Sequence, residues 1–210
     1  MMEKILPPAV KVVEAFGDPP EARLLPAEEA VVSQAVDKRR REFGTARWCA
    51  RRAMAELGVP PAPILPGERG APRWPDGVVG SMTHCDGYRA AAVARAGEVR
   101  SIGIDAEPDA PLPGGVFEAI ALPEERLRAV PGVHADRLLF SAKESVYKAW
   151  FPLTRRWLDF DEADIVLRPD GTFTARILAA TRPGEGIPPD GFAGRWTTAS
   201  GLLMTAIVVM

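Results

Sequence analysis

Four short turn signals divide much of the chain into apolar runs that favour antiparallel pairing. Asp86-Gly87, Ala96-Gly97, Pro169-Asp170-Gly171 and Ser200-Gly201 each separate two such runs. Connections this short join strands that run in opposite directions, because parallel neighbours need a crossover of a dozen or more residues. The pattern therefore predicts two meanders, with strands at 78–84, 89–94 and 99–105 and then at 165–167, 172–178, 194–198 and 202–209.

A longer helical segment precedes each meander. The first follows Pro26 and stops at Gly58, and the low helix propensity of Gly44-Thr45 predicts a break between them. The second is expected from Ala135 to Pro152. Its buried stripe is predicted to be Leu139, Ala142, Val146 and Ala149, with Ser141, Glu144 and Lys148 on the opposite side.

This order of elements predicts an α+β protein made of two similar α+β halves, each a helix packed on an antiparallel sheet. We expect an N-terminal half at 1–105, a C-terminal half at 106–210 and an active site in the cleft between them. The 47% apolar content is enough for a substantial core. Cys49 and Cys85 have no Cys-x-x-Cys spacing, which argues against a disulfide framework and a zinc site.

The overall charge argues against two classes of partner. A net charge of −2 and a pI near 5.8 lack the basic footprint of a dedicated nucleic-acid binder. The apolar patch near the N-terminus is interrupted by Pro7, Pro8 and Lys11, so it fits neither a signal peptide nor a membrane span. We therefore expect a cytoplasmic protein that binds neither nucleic acid nor a membrane.

Four charged side chains form the most suggestive chemical pattern. Asp105 and Glu107 lie two apart on a predicted strand and so share a face, whereas Glu144 and Lys148 lie four apart on a predicted helix. Three carboxylates and a lysine that converge could hold a hard divalent ion, since Mg²⁺ prefers oxygen ligands. Taken alone, Asp105 and Glu107 are more often explained by a solvated strand end. Taken alone, Glu144 and Lys148 are consistent with an exposed helix pair.

A basic stretch runs from Lys38 to Arg52. A solvated helix face is the usual explanation for such a run. The functional interpretation is a phosphate clamp, because Arg47 and Arg51 are four apart on one helix face. His84, at the end of a strand, is by default a structural histidine, since it has no partner at metal-ligand spacing.

Three segments together resemble a known family. They are Trp-Pro-Asp-Gly-Val-Val-Gly-Ser-Met-Thr-His at 74–84, Gly-Ile-Asp-Ala-Glu at 103–107 and Phe-Ser-Ala-Lys-Glu-Ser-Val-Tyr-Lys-Ala at 140–149. In this order they resemble the Sfp-type 4′-phosphopantetheinyl transferases, in the subgroup typified by the enterobactin synthetase component D. The basic stretch fits the same subgroup. Two positions depart from the family pattern: Thr83 replaces a usual serine, and Ala71-Pro72 replaces a frequent lysine-proline pair.

The resemblance implies a fold and a reaction. The fold would be two α+β halves related by a pseudo-twofold axis. The enzyme would transfer the phosphopantetheine arm of coenzyme A to a serine of an apo acyl or peptidyl carrier protein, releasing adenosine 3′,5′-bisphosphate. Asp105, Glu107 and Glu144 would ligate Mg²⁺ or Mn²⁺. Glu144 would act as base on the serine, directly or through a water, and Lys148 would bind the pyrophosphate.

The resemblance also implies how coenzyme A and the carrier are held. His84 would contact the 3′-phosphate beside Thr83, and Arg39, Arg47 and Arg51 would assist. Arg69 or Arg73 would hold the nucleotide end. Arg155, Arg156 and Trp157 are candidates for a surface that docks the carrier. The protein would act as a monomer on carriers of siderophore, other peptide, polyketide or fatty-acid synthesis.

Two other classes of function remain open at this point. A non-catalytic module that binds coenzyme A or a carrier need not keep the acidic trio together with Lys148. A metal-dependent phosphohydrolase also uses clustered carboxylates, but it more naturally carries histidine ligands or a second metal site.

Overall fold

The computed structural model describes residues 1–182 and 184–210. The described part is α+β, as predicted, with helices packed on two antiparallel sheets. None of the helices in it is both long enough and apolar enough to cross a membrane.

The first sheet has three strands in the order β1-β3-β2, with β1 at Lys11–Phe16, β2 at Val78–Cys85 and β3 at Tyr88–Arg95. Helix α1 spans Pro26–Val31, and helix α2 spans Asp37–Glu56 and packs on this sheet. The core between them includes Cys49, Ala53, Met54, Ala91 and Val93. Because β3 is the central strand and is buried along nearly its whole length, small alanines dominate it.

The second sheet has five strands in the order β4-β8-β7-β6-β5. Their bounds are Ser101–Pro108 for β4, Ala163–Leu167 for β5, Thr172–Ile177 for β6, Phe192–Ala199 for β7 and Leu202–Val209 for β8. The short helix α3 spans Val116–Ile120, and the long helix α4 spans Ala135–Thr154. Helix α4 covers the sheet, chiefly β4 and β8, and Val146, Trp150, Phe173 and Leu203 belong to the core beneath it.

Strand β4 corrects the predicted first meander. It pairs with β8 and does not pair with β3, although Ala96-Gly97 suggested a hairpin. The amides of Glu98 and Val99 both donate to the Arg95 carbonyl oxygen, and this tight turn carries the chain out of the first sheet. Strand β4 nevertheless remains beside β2, because the Ser81 and Thr83 hydroxyl oxygens accept hydrogen bonds from the Ile104 and Ala106 amides, both at 3.1 Å.

The first helical segment also differs from its prediction. The break falls between α1 and α2, at residues 32–36, and Gly44-Thr45 lies inside α2. Packing explains this pair: a Cβ at Gly44 would lie 3.3 Å from the Ala22 carbonyl oxygen, and the Thr45 hydroxyl donates to Asp18 at 2.8 Å. Both residues bind the 18–22 segment to the helix, so tertiary contacts outweigh their low helix propensity.

Candidate active site

The site begins where α4 lies directly against β4. A Cβ at Gly103 would fall 1.9 Å from the Ser145 carbonyl oxygen and 2.8 Å from the Ala149 nitrogen. Only glycine allows two backbones to approach this closely. As a result, Lys148 on the helix reaches the middle of β4, where its ammonium donates to the Ile104 carbonyl oxygen at 3.2 Å.

Asp105 is the centre of the polar cluster at this junction. Its Oδ1 accepts from the Lys148 ammonium at 2.7 Å and from the Thr83 hydroxyl at 3.2 Å. The residue is only 5% exposed, and its Oδ2 is buried without a hydrogen-bond partner. Buried carboxylate oxygens normally have partners, so the unpaired Oδ2 is available to a bound ion or water.

The other two predicted acids are electrostatically coupled to Asp105. Burial raises the pKa of Glu144, the Asp105 and Glu107 charges add to that rise, and Lys148 opposes it. Burial also raises the pKa of Glu107, with a further contribution from Asp105. Arg137 binds Glu107 at 2.8 Å and partly offsets this effect. Burial is therefore the main reason that Glu107 and Glu144 hold a proton more tightly than free carboxylates do, and the charge of Asp105 adds to it.

The carboxylate oxygens of the three acids are the ligand type that a divalent cation prefers, but the three side chains do not converge on one point. Across residues 1–182 and 184–210, no group of three or more His, Cys, Asp or Glu side chains is already positioned to hold a metal ion. Glu107 is directed to Arg137. The unpaired Asp105 Oδ2 and the raised pKa values of Glu107 and Glu144 nevertheless fit an ion with oxygen ligands such as Mg²⁺.

A cavity of about 970 Å³ opens beside this cluster. It is at the large end of the range for small-molecule sites, about 300–1,000 Å³. Glu144 and Lys148 line one wall with Tyr147, and Arg39 and His84 line another. Helix α4 supplies the first wall, and α2 and β2 supply the second. The cavity therefore lies between α4, which packs on the second sheet, and α2 with β2, which belong with the first sheet.

His84 and Arg39 form a direct pair at 2.8 Å between Nε2 and the guanidinium. A guanidinium only donates, so Nε2 accepts and the proton of the neutral ring lies on Nδ1. Burial and the Arg39 charge lower the pKa of His84. The pair therefore presents one positive charge, on Arg39, beside a neutral imidazole. The Arg39 charge suits this wall to an anionic ligand.

The other two arginines of the predicted clamp have internal partners. Arg47 reaches the cavity wall, but its guanidinium donates to the carbonyl oxygens of Ile64 at 2.8 Å and Phe43 at 3.3 Å. Burial lowers its pKa to about 10. Arg51 does not line the cavity, because its Nη1 binds both Glu28 oxygens at 2.7 and 2.8 Å. The sequence showed the charge of Arg51 but not its distant partner.

The loop at 66–73 covers another side of the cavity and carries Arg69 and Arg73. Its ends are joined by a bridge between Pro66 and Pro72. The Arg69 guanidinium lies over the Trp157 ring, 5.2 Å from its centroid, so it crosses toward the C-terminal part of the chain. Arg73 packs against Gly67 at the base of the loop. Both arginines are thus at the cavity.

The predicted docking residues are in different environments. Trp157 is 49% exposed and its ring is 4.9 Å from that of Tyr147. Arg155 lines the cavity. Arg156 is held by Glu185 at 2.9 Å and by the Ala180 carbonyl oxygen at 2.7 Å, which leaves less of its charge for a partner.

Sequence reasoning missed one residue at the site and assigned another to the wrong face. Arg137 precedes the recognised motif and binds Glu107. Ser141 was placed on the face opposite the buried stripe, but it is fully buried and hydrogen-bonded to Thr205 at 3.0 Å. The reason is that α4 is buried along two faces, so a single apolar stripe underestimates its buried surface.

Two family models and several known proteins match long segments of this chain. The family model of the 4′-phosphopantetheinyl transferase N-terminal domain matches residues 27–94, and that of the 4′-phosphopantetheinyl transferase superfamily matches residues 101–187. The 4′-phosphopantetheinyl transferase Svp of Streptomyces mobaraensis is 55% identical over 100% of this chain and 89% of its own length. The 4′-phosphopantetheinyl transferase PptT of Mycobacterium tuberculosis is 52% identical over 93% and 90%. Enterobactin synthase component D of Salmonella typhi is 33% identical over 54% and 49%.

Proposed function

Because the chain belongs to the 4′-phosphopantetheinyl transferase superfamily, we propose that the cavity between β2 and α4 is its active site. The enzyme transfers the 4′-phosphopantetheine arm of coenzyme A to a carrier-protein serine and releases adenosine 3′,5′-bisphosphate. The observation that carries the assignment of the site is the junction at Gly103. There, Asp105 of β4 binds Lys148 of α4, and Lys148 lines the cavity.

The acidic trio is proposed to hold the cation. Asp105, Glu107 and Glu144 would ligate Mg²⁺ or Mn²⁺, which when bound neutralises the negative charge of the pyrophosphate. Asp105 would contribute its unpaired Oδ2, since Oδ1 is already used by Lys148 and Thr83. Glu107 would exchange part of its contact with Arg137 for the cation.

Glu144 and Lys148 are proposed to act on the reacting groups. Glu144 would accept the proton of the carrier serine, since it lines the cavity beside Lys148. Lys148 is held by Asp105 and by the Ile104 carbonyl oxygen, so its charge is fixed before substrate arrives. It would stabilise the charge that builds on the leaving phosphate, because preorganised charge costs no rearrangement during the reaction.

The basic wall is proposed to bind the nucleotide end of coenzyme A. Arg39 and His84 would take the 3′-phosphate, since both line the cavity and Arg39 carries a fixed charge. Arg73 and Arg69 would contact the nucleotide from the loop above. Arg47 would shape the wall, and Arg51 would stabilise α2 by its pair with Glu28.

The remaining proposals concern partners and organisation. Trp157, with Arg155 beside the cavity, would form part of the surface that docks apo carrier proteins. The similarity to enterobactin synthase component D supports a siderophore carrier as one substrate. We propose that the protein is a cytoplasmic monomer with halves at 1–105 and 106–210, which meet within β4.

One assay tests this site. Asp105→Ala and, as control, Asp164→Ala are incubated with coenzyme A, Mg²⁺ and an apo carrier, and the carrier is weighed by mass spectrometry. Asp164 is an ion-paired aspartate of β5, bound to Arg128 and Arg176 and not lining the cavity. We expect the carrier to gain one phosphopantetheine group with wild type and the control but not with Asp105→Ala. Normal turnover by Asp105→Ala would refute the assignment.

A further inference from the structure

A buried cluster of three hydroxyls joins α4 to β8. The Thr205 hydroxyl lies 2.6 Å from the Ser145 hydroxyl and 3.0 Å from the Ser141 hydroxyl, and it donates to the Ser141 carbonyl oxygen at 3.0 Å. Thr205, Ser141 and Ser145 are all fully buried. One hydroxyl can donate once and accept twice, so the Thr205 oxygen satisfies all three contacts together.

The cluster connects α4, which carries Glu144 and Lys148, to β8, the strand that pairs with β4 and so adjoins Asp105. Thr205 stands directly opposite Asp105 in the register of β4 and β8. Ser141 and Ser145 lie on either side of Glu144 along the same helix. Gly103 lets α4 approach β4 but provides no polar contact that fixes how far the helix slides or rotates. The Lys148 ammonium and the Ser101 hydroxyl make polar contacts between α4 and β4, at Ile104 and at Ala149. The hydroxyl cluster adds directional contacts on the β8 side of the helix, and hydrogen bonds weaken steeply with angle.

We infer that Thr205 is a positioning residue, which sets the place of Glu144 relative to Asp105 through Ser141 and Ser145. The inference rests on the proposed roles of Asp105 and Glu144. Thr205 does not line the cavity, and the hydrogen bonds of its hydroxyl go to Ser141 and Ser145 of α4. Its loss should therefore change the rate of the reaction more than the binding of coenzyme A, whose proposed nucleotide contacts lie on α2, β2 and the 66–73 loop.

The decisive variants differ by single groups. Thr205→Val removes the hydroxyl at nearly constant volume, and Thr205→Ser restores it without the methyl. Displacements of about 1 Å cost on the order of 100-fold in rate, so Thr205→Val should lower kcat by about 10- to 100-fold while KM for coenzyme A stays within about 3-fold. Thr205→Ser should recover most of the kcat.

Thr45→Val is the matched control, because Thr45 is also a buried threonine whose hydroxyl has one strong partner, Asp18. Thermal unfolding and calorimetric binding of coenzyme A are measured for every variant. We expect Thr45→Val to lose stability without the selective loss of kcat. If Thr205→Val does not fold, Ser145→Ala removes one of the three contacts and should give a smaller loss of kcat in the same direction.

The outcomes separate the inference from the function on which it rests. The inference is overturned if Thr205→Val keeps a normal kcat, if Thr205→Ser is as slow as Thr205→Val, or if Ser145→Ala, used where valine does not fold, leaves kcat unchanged. In those cases Asp105→Ala should still be inactive. A fully active Asp105→Ala would instead remove the proposed site, whatever Thr205→Val does.

Discussion

Gly103→Ala is the sharpest test of how the site is assembled. The new methyl group would lie 1.9 Å from the Ser145 carbonyl oxygen, whereas ordinary contacts begin at 3.4 Å. The atoms it meets are helix backbone and cannot rotate away as a flexible side chain would. To restore an ordinary contact, helix α4 and β4 must therefore separate by about 1.5 Å, the difference between these distances.

This withdrawal should separate the two halves of the catalytic cluster. Lys148 would lose its 2.7 Å contact with Asp105, and Glu144 would move with it. A misplacement of about 1 Å costs on the order of 100-fold in rate, so we expect kcat to fall by at least that factor. Overpacking of a core costs about 1–3 kcal/mol, and denaturant unfolding should show a loss of that size.

Gly97→Ala is the matched control, because nothing lies within 4 Å of a Cβ at that position. Both variants are assayed for carrier modification under saturating coenzyme A and for unfolding in urea. The reasoning is refuted if Gly103→Ala keeps a normal kcat and a normal free energy of unfolding. A variant that is destabilised but fully active would show that helix placement does not limit the reaction.

Three further predictions concern charged groups. Lys148→Ala should lower kcat more than it weakens calorimetric binding of coenzyme A, and a pure loss of affinity would exclude Lys148 from the chemistry. Arg47→Leu should destabilise the protein by about 1–3 kcal/mol in denaturant unfolding, because the Ile64 carbonyl oxygen loses its buried donor; unchanged stability would contradict this. The lowered pKa of His84 leaves it neutral at pH 7, and a bound phosphate dianion should raise it. Coenzyme A binding near pH 7 should therefore take up protons, more than dephospho-coenzyme A does, and a calorimetric heat independent of buffer ionisation would argue against this role.

The strands were largely predictable because their signals are local. Alternating apolar runs and turns identified β2, β3 and the strands of the second sheet within a few residues. The partner of β4 was not predictable in the same way, since β4 pairs with β8 about 100 residues later. Turn residues indicate which consecutive strands could form a hairpin. Which strands pair in the folded protein depends on where their apolar faces are best buried.

The site shows the same division between local and distant information. Asp105, Glu144 and Lys148 were found because their spacing on a strand and a helix is visible in the sequence. The environment of Arg51 was not, because its partner Glu28 lies 23 residues earlier. Nothing in the order of residues indicated that Ser141 would face a threonine of the last strand.

Thr83 shows why the junction between the sheets also serves the chemistry. If β2 continued the second sheet as an ordinary neighbour of β4, backbone carbonyls would accept from the β4 amides and would have nothing to donate. The Thr83 hydroxyl accepts from the Ala106 amide at 3.1 Å and, because it also has a proton, donates to Asp105 at 3.2 Å. The same side chain therefore completes the edge of β4 and holds the proposed metal ligand in place. This double requirement explains how threonine can replace serine here, since both supply the hydroxyl.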